Sequence, residues 1–219
     1  MRAIIILCLL LCAMPLLAGP TTLVTIPSTD IEAHGFWHLD ADSTVFFGGA
    51  NAPASFVDVG LLYGLSNRVE VGFDLISGAD DPLWVNAKVQ LIPPAHSPVA
   101  LAAGIFNAAT AKATNQSVLY VVGSGKPLRN VRLTFGAYQG NATGLVAVNN
   151  SRSGVLAGLE LGQGKWWYAV DYVGGTNALS SVNYGVSYLF APNTVILLGY
   201  NVFTTGPNAL SVQFDIDFK

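Results

Sequence analysis

Hydrophobic and polar residues alternate along residues 55–76, which read SFVDVGLLYGLSNRVEVGFDLI. The apolar positions on either side of Ser66-Asn67 are Val57, Val59, Leu61, Tyr63 and Leu65, then Val69, Val71, Phe73 and Leu75. The positions between them include the charged residues Asp58, Arg68, Glu70 and Asp74. Alternation with a period of two predicts two strands that each have one apolar face. The two-residue polar break predicts a tight hairpin between them.

The same alternation recurs over residues 36–219 and predicts an all-β protein with about twelve antiparallel strands of about ten residues each. Some connections are short turns, whereas those after the first, fifth, seventh and ninth predicted strands are longer and rich in Asn, Gly and Thr. This pattern is typical of an up-and-down outer-membrane barrel with both termini in the periplasm. Residues 99–106 are small on both faces, and residues 145–148 are an apolar run that would lengthen a strand beyond the membrane. These two stretches leave counts of about ten or fourteen strands open.

The charged residues segregate to one face of the predicted strands. Of the 13 acidic residues, none falls on the apolar face. A charge that faced lipid at mid-membrane would cost about 2–4 kcal/mol, so the segregation predicts an apolar exterior and an acidic lumen. The predicted lumen and pore-lining residues are Asp40, Asp42, Asp58, Glu70, Asp74, Lys88, Arg132, Glu160, Asp171, Asp215 and Asp217.

Aromatic residues on the apolar face cluster at the strand ends. We assign Trp37, Tyr63, Trp166, Phe190 and Phe218 to the periplasmic rim, and Phe47 and Tyr172 to the opposite rim. Aromatic girdles at both membrane interfaces are typical of barrels, whereas in a soluble protein the same residues would be ordinary core aromatics. A soluble β-sandwich is the alternative fold, but a sandwich of this length seldom keeps every strand so apolar on one side.

Composition agrees with a membrane barrel that is exported from the cytoplasm. The chain is 52% hydrophobic and 11% charged, which is apolar for a soluble domain. Residues 1–18 combine Arg2 with an apolar stretch and predict a cleaved signal peptide. Both cysteines, Cys8 and Cys12, lie within this leader, so no disulfide or thiolate metal site is expected after cleavage. Residues 19–35 have no clean alternation and are predicted to be an irregular segment in the periplasm or the lumen, followed by the barrel at residues 36–219.

Two stretches resemble known outer-membrane proteins. The last strand, LSVQFDIDFK, resembles the C-terminal assembly signal of outer-membrane barrels, although Lys219 follows the usual terminal aromatic. The N-terminal stretch LVTIPSTDIEAHGFWHLDAD and the hairpin YGLSNRVEVGFD resemble the YjbH-like outer-membrane proteins associated with exopolysaccharide export. The resemblance implies a barrel in the bacterial envelope, inserted by the barrel-assembly machinery through its last strand. It implies no particular substrate.

The candidate chemistry in the sequence is sparse. His38, Asp40 and Asp42 share the predicted inner face and could supply a general base or a metal site, but a satisfied lumen cluster explains them more simply. We therefore expect no enzyme, cofactor, metal or nucleic-acid partner, and a monomer in contact with outer-membrane lipid. The leading hypothesis is a passive pore for small solutes or ions that favours cations. The alternatives are a closed accessory barrel for polysaccharide export or envelope integrity and, third, an enzyme that uses His38.

Overall fold

The computed structural model describes residues 21–48, 53–79 and 81–219. Residues 1–20, which include the predicted signal peptide and the start of the irregular segment, lie outside the described residues, as do residues 49–52 and Asp80. Within the described ranges, no helix has the length and apolar character needed to cross a membrane.

The described residues form a closed barrel of twelve antiparallel strands, which confirms the predicted fold class and strand number. The strands are β1 (Trp37–Phe46), β2 (Phe56–Ser66), β3 (Val69–Ile76), β4 (Leu83–Ile92), β5 (Val99–Ala108), β6 (Val118–Leu128), β7 (Val131–Gln139), β8 (Ser153–Gln163), β9 (Trp166–Val173), β10 (Ser181–Ala191), β11 (Thr194–Phe203) and β12 (Ala209–Phe218). Each strand pairs with its neighbours in sequence, and β1 pairs with β12 along its whole length, from Trp37 opposite Phe218 to Phe46 opposite Ala209.

The two ends of the barrel differ in their connections. At one end lie the start of β1, the end of β12 and five short connections, the tightest of which are residues 67–68, 129–130, 164–165 and 192–193. We call this the terminal end. The opposite end, the loop end, carries longer connections such as residues 140–152 and 174–180. The even strand number places both chain ends of the barrel on the same side.

The outer surface of the barrel is a continuous apolar belt. Its exposed side chains are alternate residues of the strands, among them Val59, Phe73, Val85, Val121, Phe135, Leu159, Val170, Leu198 and Val212. A soluble protein rarely exposes so large an apolar area. The belt therefore faces lipid, and the chain is a transmembrane β-barrel.

A charge placed at the middle of this belt should destabilise the barrel according to its depth. Leu198 lies mid-strand in β11 and is 55% exposed, whereas Phe190 lies next to the terminal-end turn of β10 and is 67% exposed. We expect Leu198→Arg to lower the free energy of unfolding by about 2–4 kcal/mol, and Phe190→Arg by about 0–1 kcal/mol. Urea titration of the barrel in lipid vesicles measures both values. Equal costs at the two positions would contradict a lipid-facing β11.

Two uncertain stretches of the sequence are resolved by the fold. Residues 99–108 form β5, with Ala100 and Ala102 buried on the inner side. The interpretation of residues 145–148 as a strand extension is wrong, because these residues lie in a loop. Leu145 is 0% exposed and belongs to the same buried cluster as Val118 and Leu156, so this loop folds inward at the loop end.

Candidate functional site

The interior of the barrel contains a cavity of about 480 Å³ beside a folded N-terminal segment. Its lining follows β1 from His38, one residue from the terminal end of the strand, to Phe46 at the loop end. Those eight steps correspond to about 26 Å of extended strand at a rise of about 3.3 Å per residue. The cavity therefore runs beside most of the height of the β1 wall.

Six carboxylates line this cavity. They are Asp40, Asp42, Asp58, Glu70, Asp74 and Asp215. Several lie directly beside one another across strands: Asp42 faces Asp58, and Asp40 faces Asp215. Like charges opposite each other on neighbouring strands are destabilising, so this acidic wall has an electrostatic cost unless its carboxylates bind protons or cations.

Gly60 allows the acidic wall to continue from β1 to β3. It is opposite Asp40 on one side and opposite Asp74 on the other. A Cβ atom at Gly60 would lie 2.3 Å from a carboxylate oxygen of Asp40, and the Gly60 N–H donates a 3.1 Å hydrogen bond to that side chain. The glycine thus leaves room for the Asp40 carboxylate to extend over β2 toward Asp74.

Lys88 lies on the same side of the lumen but is already paired. Its ammonium is 2.9 Å from Glu70 and donates a 3.0 Å hydrogen bond to the backbone carbonyl of Thr21. Glu70 in turn accepts a 2.7 Å hydrogen bond from the backbone N–H of Glu32. Both side chains are therefore used to hold the N-terminal segment.

Residues 21–33, called the inserted segment below, fold into the lumen of the barrel rather than lying outside it. The segment forms a tight turn in which the N–H of Leu23 donates to the carbonyl of Ile26 (2.8 Å) and the N–H of Ser28 to the carbonyl of Thr21 (2.9 Å). Gly35, with φ of +80°, then turns the chain into β1. Leu23, Val24 and Ile26 are almost completely buried.

Asp171 is the main polar anchor of the inserted segment. It is 1% exposed and lies on the inner face of β9. Its carboxylate accepts hydrogen bonds from the backbone N–H groups of Val24, Thr25 and Ile26 at 2.9, 2.8 and 3.2 Å. The Thr25 hydroxyl and the Asn183 side-chain amide also donate to it, at 2.9 and 2.7 Å. One carboxylate thus satisfies a whole turn of backbone donors, as an anion does in a backbone nest.

Arg132, on β7, forms a second anchor of the segment. Its guanidinium makes a bidentate pair with Glu160 at 2.6 Å for both contacts, and it also bonds the carboxylate of Asp30. Bidentate Arg–carboxylate pairs have a defined orientation. The inner faces of β7 and β8 are therefore joined to the segment by an ion-paired network.

Apolar packing completes the seat of the inserted segment. Leu23, Val24 and Ile26 belong to a buried cluster that includes inner-face residues of β6, β8, β9 and β11, among them Val122, Leu156, Trp167, Ala169 and Leu197. Two glycines make room for them. A Cβ atom at Gly158 would lie 2.4 Å from Leu23, and one at Gly185 would lie 2.6 Å from Val24. The inner wall is thus acidic around β1–β3 and apolar where the segment lies.

The sequence grouped His38 with Asp40 and Asp42, but the structure gives the imidazole different partners. Nδ1 of His38 is 2.7 Å from Asp217 and Nε2 is 3.4 Å from Asp215, both on β12. Glu32 of the inserted segment lies close by. Burial raises the pKa of the Glu32 carboxylate above its ordinary value, and the Asp217 carboxylate acts in the same direction. His38 thus lies beside three carboxylates, those of Glu32, Asp215 and Asp217.

The predicted lumen residues differ in what they contact. Asp40, Asp42, Asp58, Asp74 and Asp215 border the cavity, while Arg132, Glu160 and Asp171 contact the inserted segment or its anchors. Glu70 and Lys88 do both. Asp217 bonds His38 near the terminal end.

The predicted girdle residues lie on the outside of the barrel at its two ends. Trp37 and Tyr63 are adjacent across β1 and β2 with ring centroids 4.5 Å apart, and Trp166 lies 4.7 Å from Tyr188. Phe190 and Phe218 are exposed at the terminal end, and Phe47 and Tyr172 are exposed at the loop end.

The sequence did not single out three uncharged polar residues that hold the inserted segment. Gln90 donates to the carbonyl of Thr29 (2.8 Å), Gln213 donates to the carbonyl of Val24 (3.0 Å), and Asn183 contacts Asp171. All three occupy inner-face positions, and an amide side chain at such a position was the available signal.

Comparison with known proteins supports the fold. No protein-family profile and no curated protein matches the sequence. A solved KdgM porin aligns at 9% identity over 83% of this chain and 99% of its own, with a TM-score of 0.59. The KdgM porin in complex with disordered oligogalacturonate aligns over the same shares with a TM-score of 0.62, also at 9% identity. At this identity the likeness is one of architecture, and it shows that the chain has a porin-like barrel fold.

Proposed function

We propose that this protein is a passive outer-membrane pore for small solutes and that it favours cations. The observation that carries the proposal is the cavity of about 480 Å³ along β1, bordered by six carboxylates. Rings of Asp and Glu select cations in channels. The basic side chains nearest this wall, Lys88 and His38, are paired with Glu70, Asp215 and Asp217, which leaves the wall acidic.

The proposed orientation has the terminal end in the periplasm and the loop end outside the cell. The shorter turns at the terminal end support it, because outer-membrane barrels have short periplasmic turns and longer extracellular loops. The predicted signal peptide at residues 1–18 would deliver the chain to the envelope, and the terminal aromatic strand would address it to the barrel-assembly machinery.

A closed accessory barrel is the second candidate, and the inserted segment favours it. Residues 21–33 fill the lumen side of β6–β11 and are held by two charged anchors. If the segment and the loop at residues 140–152 together close the remaining passage, the barrel would serve the envelope without conducting.

Planar-bilayer recordings under a KCl gradient separate the two candidates. We expect discrete conductance steps and a reversal potential on the cation-selective side. The double variant Asp42→Asn, Asp58→Asn should shift that potential toward zero, because it removes two facing carboxylates from the cavity wall. Asp81→Asn is the control, since this loop carboxylate hydrogen-bonds Ala111 and Thr110 instead.

Either of two results would count against the pore. Absence of conductance from correctly folded barrels, verified by heat-modifiable migration on a gel, would favour the closed accessory barrel. An unchanged reversal potential in the conducting double variant would place the selectivity outside the acidic wall.

A further inference from the structure

A cluster of three metal-ligand side chains, two of them buried, lies where the inserted segment leaves the lumen. Glu32 comes from the inserted segment, His38 from the start of β1 and Asp217 from the end of β12. Each offers one ligand atom, and these atoms all lie within 4.8 Å of one another. The three elements meet at the β1–β12 seam, where the barrel closes on itself.

The Glu32 side chain has an unused acceptor in this cluster. It is 4% exposed, and its Oε2 atom has no hydrogen-bond partner among the described residues. Its other oxygen accepts a 2.9 Å hydrogen bond from the N–H of Ala33. A buried acceptor without a donor destabilises the folded protein, and it does so more strongly when it is charged. A positively charged partner at Oε2 of Glu32 would therefore stabilise the cluster.

Among the residues that the structure describes, no Lys or Arg side chain forms an ion pair with this cluster, and the Lys219 ammonium lies over the Phe36 ring. Lys88 and Arg132 are ion-paired with Glu70, Glu160 and Asp30. His38 is 3% exposed and is surrounded by Glu32, Asp215 and Asp217. Even a protonated imidazole would leave three carboxylates against a single charge, so a divalent cation would neutralise the group better than a proton.

We propose that Glu32, His38 and Asp217 form a binding site for a divalent transition-metal ion of the Zn²⁺ type. One imidazole nitrogen and two carboxylate oxygens are a donor set that Zn²⁺ accepts in proteins. Binding replaces the direct contact between the His38 ring and Asp217 by bonds from both side chains to the ion. Asp215, 3.4 Å from His38, is placed to accept a hydrogen bond from the remaining ring nitrogen and so to orient the ligand.

Such an ion would fasten the inserted segment to the closing seam of the barrel. Glu32 is the ligand from the segment, while His38 and Asp217 belong to strands paired directly opposite each other. The site lies near the terminal end, and its strands, β1 and β12, are not the strands that carry the anchors Asp171 and Arg132. The proposal concerns how the segment is held, and it does not depend on whether the barrel conducts.

Calorimetric titration of the purified, tag-free barrel with Zn²⁺, after treatment with a chelator, tests the site. We expect saturable binding of a single equivalent, weakened roughly tenfold or more in Glu32→Gln and in Asp217→Asn, as loss of groups at a metal centre usually produces. Asp74→Asn is the matched control, because this inner-face carboxylate hydrogen-bonds Asn86 and lies outside the cluster. It should keep the wild-type affinity.

Heat-modifiable migration of each variant ensures that only folded barrels are compared. The proposal is overturned if the folded wild-type barrel shows no saturable Zn²⁺ binding, or if Asp74→Asn loses as much affinity as Glu32→Gln. Because calorimetry does not require conduction, a barrel that binds Zn²⁺ but passes no current would contradict only the pore.

Discussion

Deleting residues 21–33 is expected to raise the single-channel conductance several-fold. The segment occupies the part of the lumen bordered by β6–β11, where its apolar residues pack against Leu156 and Leu197. Its removal joins that space to the existing cavity of about 480 Å³. The barrel itself should persist, because β1 and β12 pair through ten residues without help from the segment. Planar-bilayer recording of the deletion variant beside the wild type measures the change.

A point substitution should also move the inserted segment out of its position in the lumen. A Cβ atom at Gly185 would lie 2.6 Å from Val24, so Gly185→Leu should push the segment from its seat and also raise conductance. Gly123→Leu is the control for adding a leucine at a strand glycine, because Gly123 lies on the outer face of β6 opposite Phe135 and a Cβ atom there would meet its nearest neighbour at 3.6 Å. Folded deletion barrels with the wild-type conductance would mean that the segment does not limit the passage.

The alternation of apolar and polar residues was enough to predict most of the fold, because each strand of a membrane barrel faces lipid on one side and the lumen on the other. Lipid excludes charge from the outer positions, so the period-two pattern persists even in short strands such as β3 and β9. The pairing of β1 with β12 also agrees with the sequence pattern, because the last strand alternates as regularly as the first. Residues 145–148 were predicted wrongly for a related reason. An apolar run beside a strand resembles a continuation of that strand whether it faces lipid or packs inward, as Leu145 does.

The conformation of the inserted segment could not be predicted from the sequence pattern. Its conformation depends on contacts with residues far along the chain, such as Asp171 and Gln213, and an irregular segment has no periodicity that would reveal them. The inner apolar residues Val122, Leu156 and Leu197 were the available clue, because a water-filled lumen would not favour them. The inner-face glycines Gly158 and Gly185 were a second clue, because they make room for segment side chains.

Replacing Asp171 by Ala is expected to release the inserted segment from the lumen wall. The carboxylate serves three backbone N–H groups in succession, and each buried donor left without an acceptor costs about 1–3 kcal/mol. No alanine atom can replace those bonds, and water from the adjacent cavity would hydrate the freed donors only if the segment moved. The anchor at Arg132 and the packing of Leu23 would still oppose release, so we expect frequent opening rather than complete loss of the inserted state.

Thiol labelling measures that opening. With Cys8 and Cys12 replaced by Ala, a single Val24→Cys substitution places a thiol at a position that is 2% exposed. Asp171→Ala should raise its rate of reaction with a water-soluble maleimide roughly tenfold or more, because a loss of about 1.4 kcal/mol changes an equilibrium constant tenfold. Asp74→Ala removes an inner-face carboxylate that contacts Asn86 instead, so it should leave the rate unchanged. Equal acceleration by both substitutions would indicate general loosening of the barrel, and no acceleration by Asp171→Ala would mean that packing alone retains the segment.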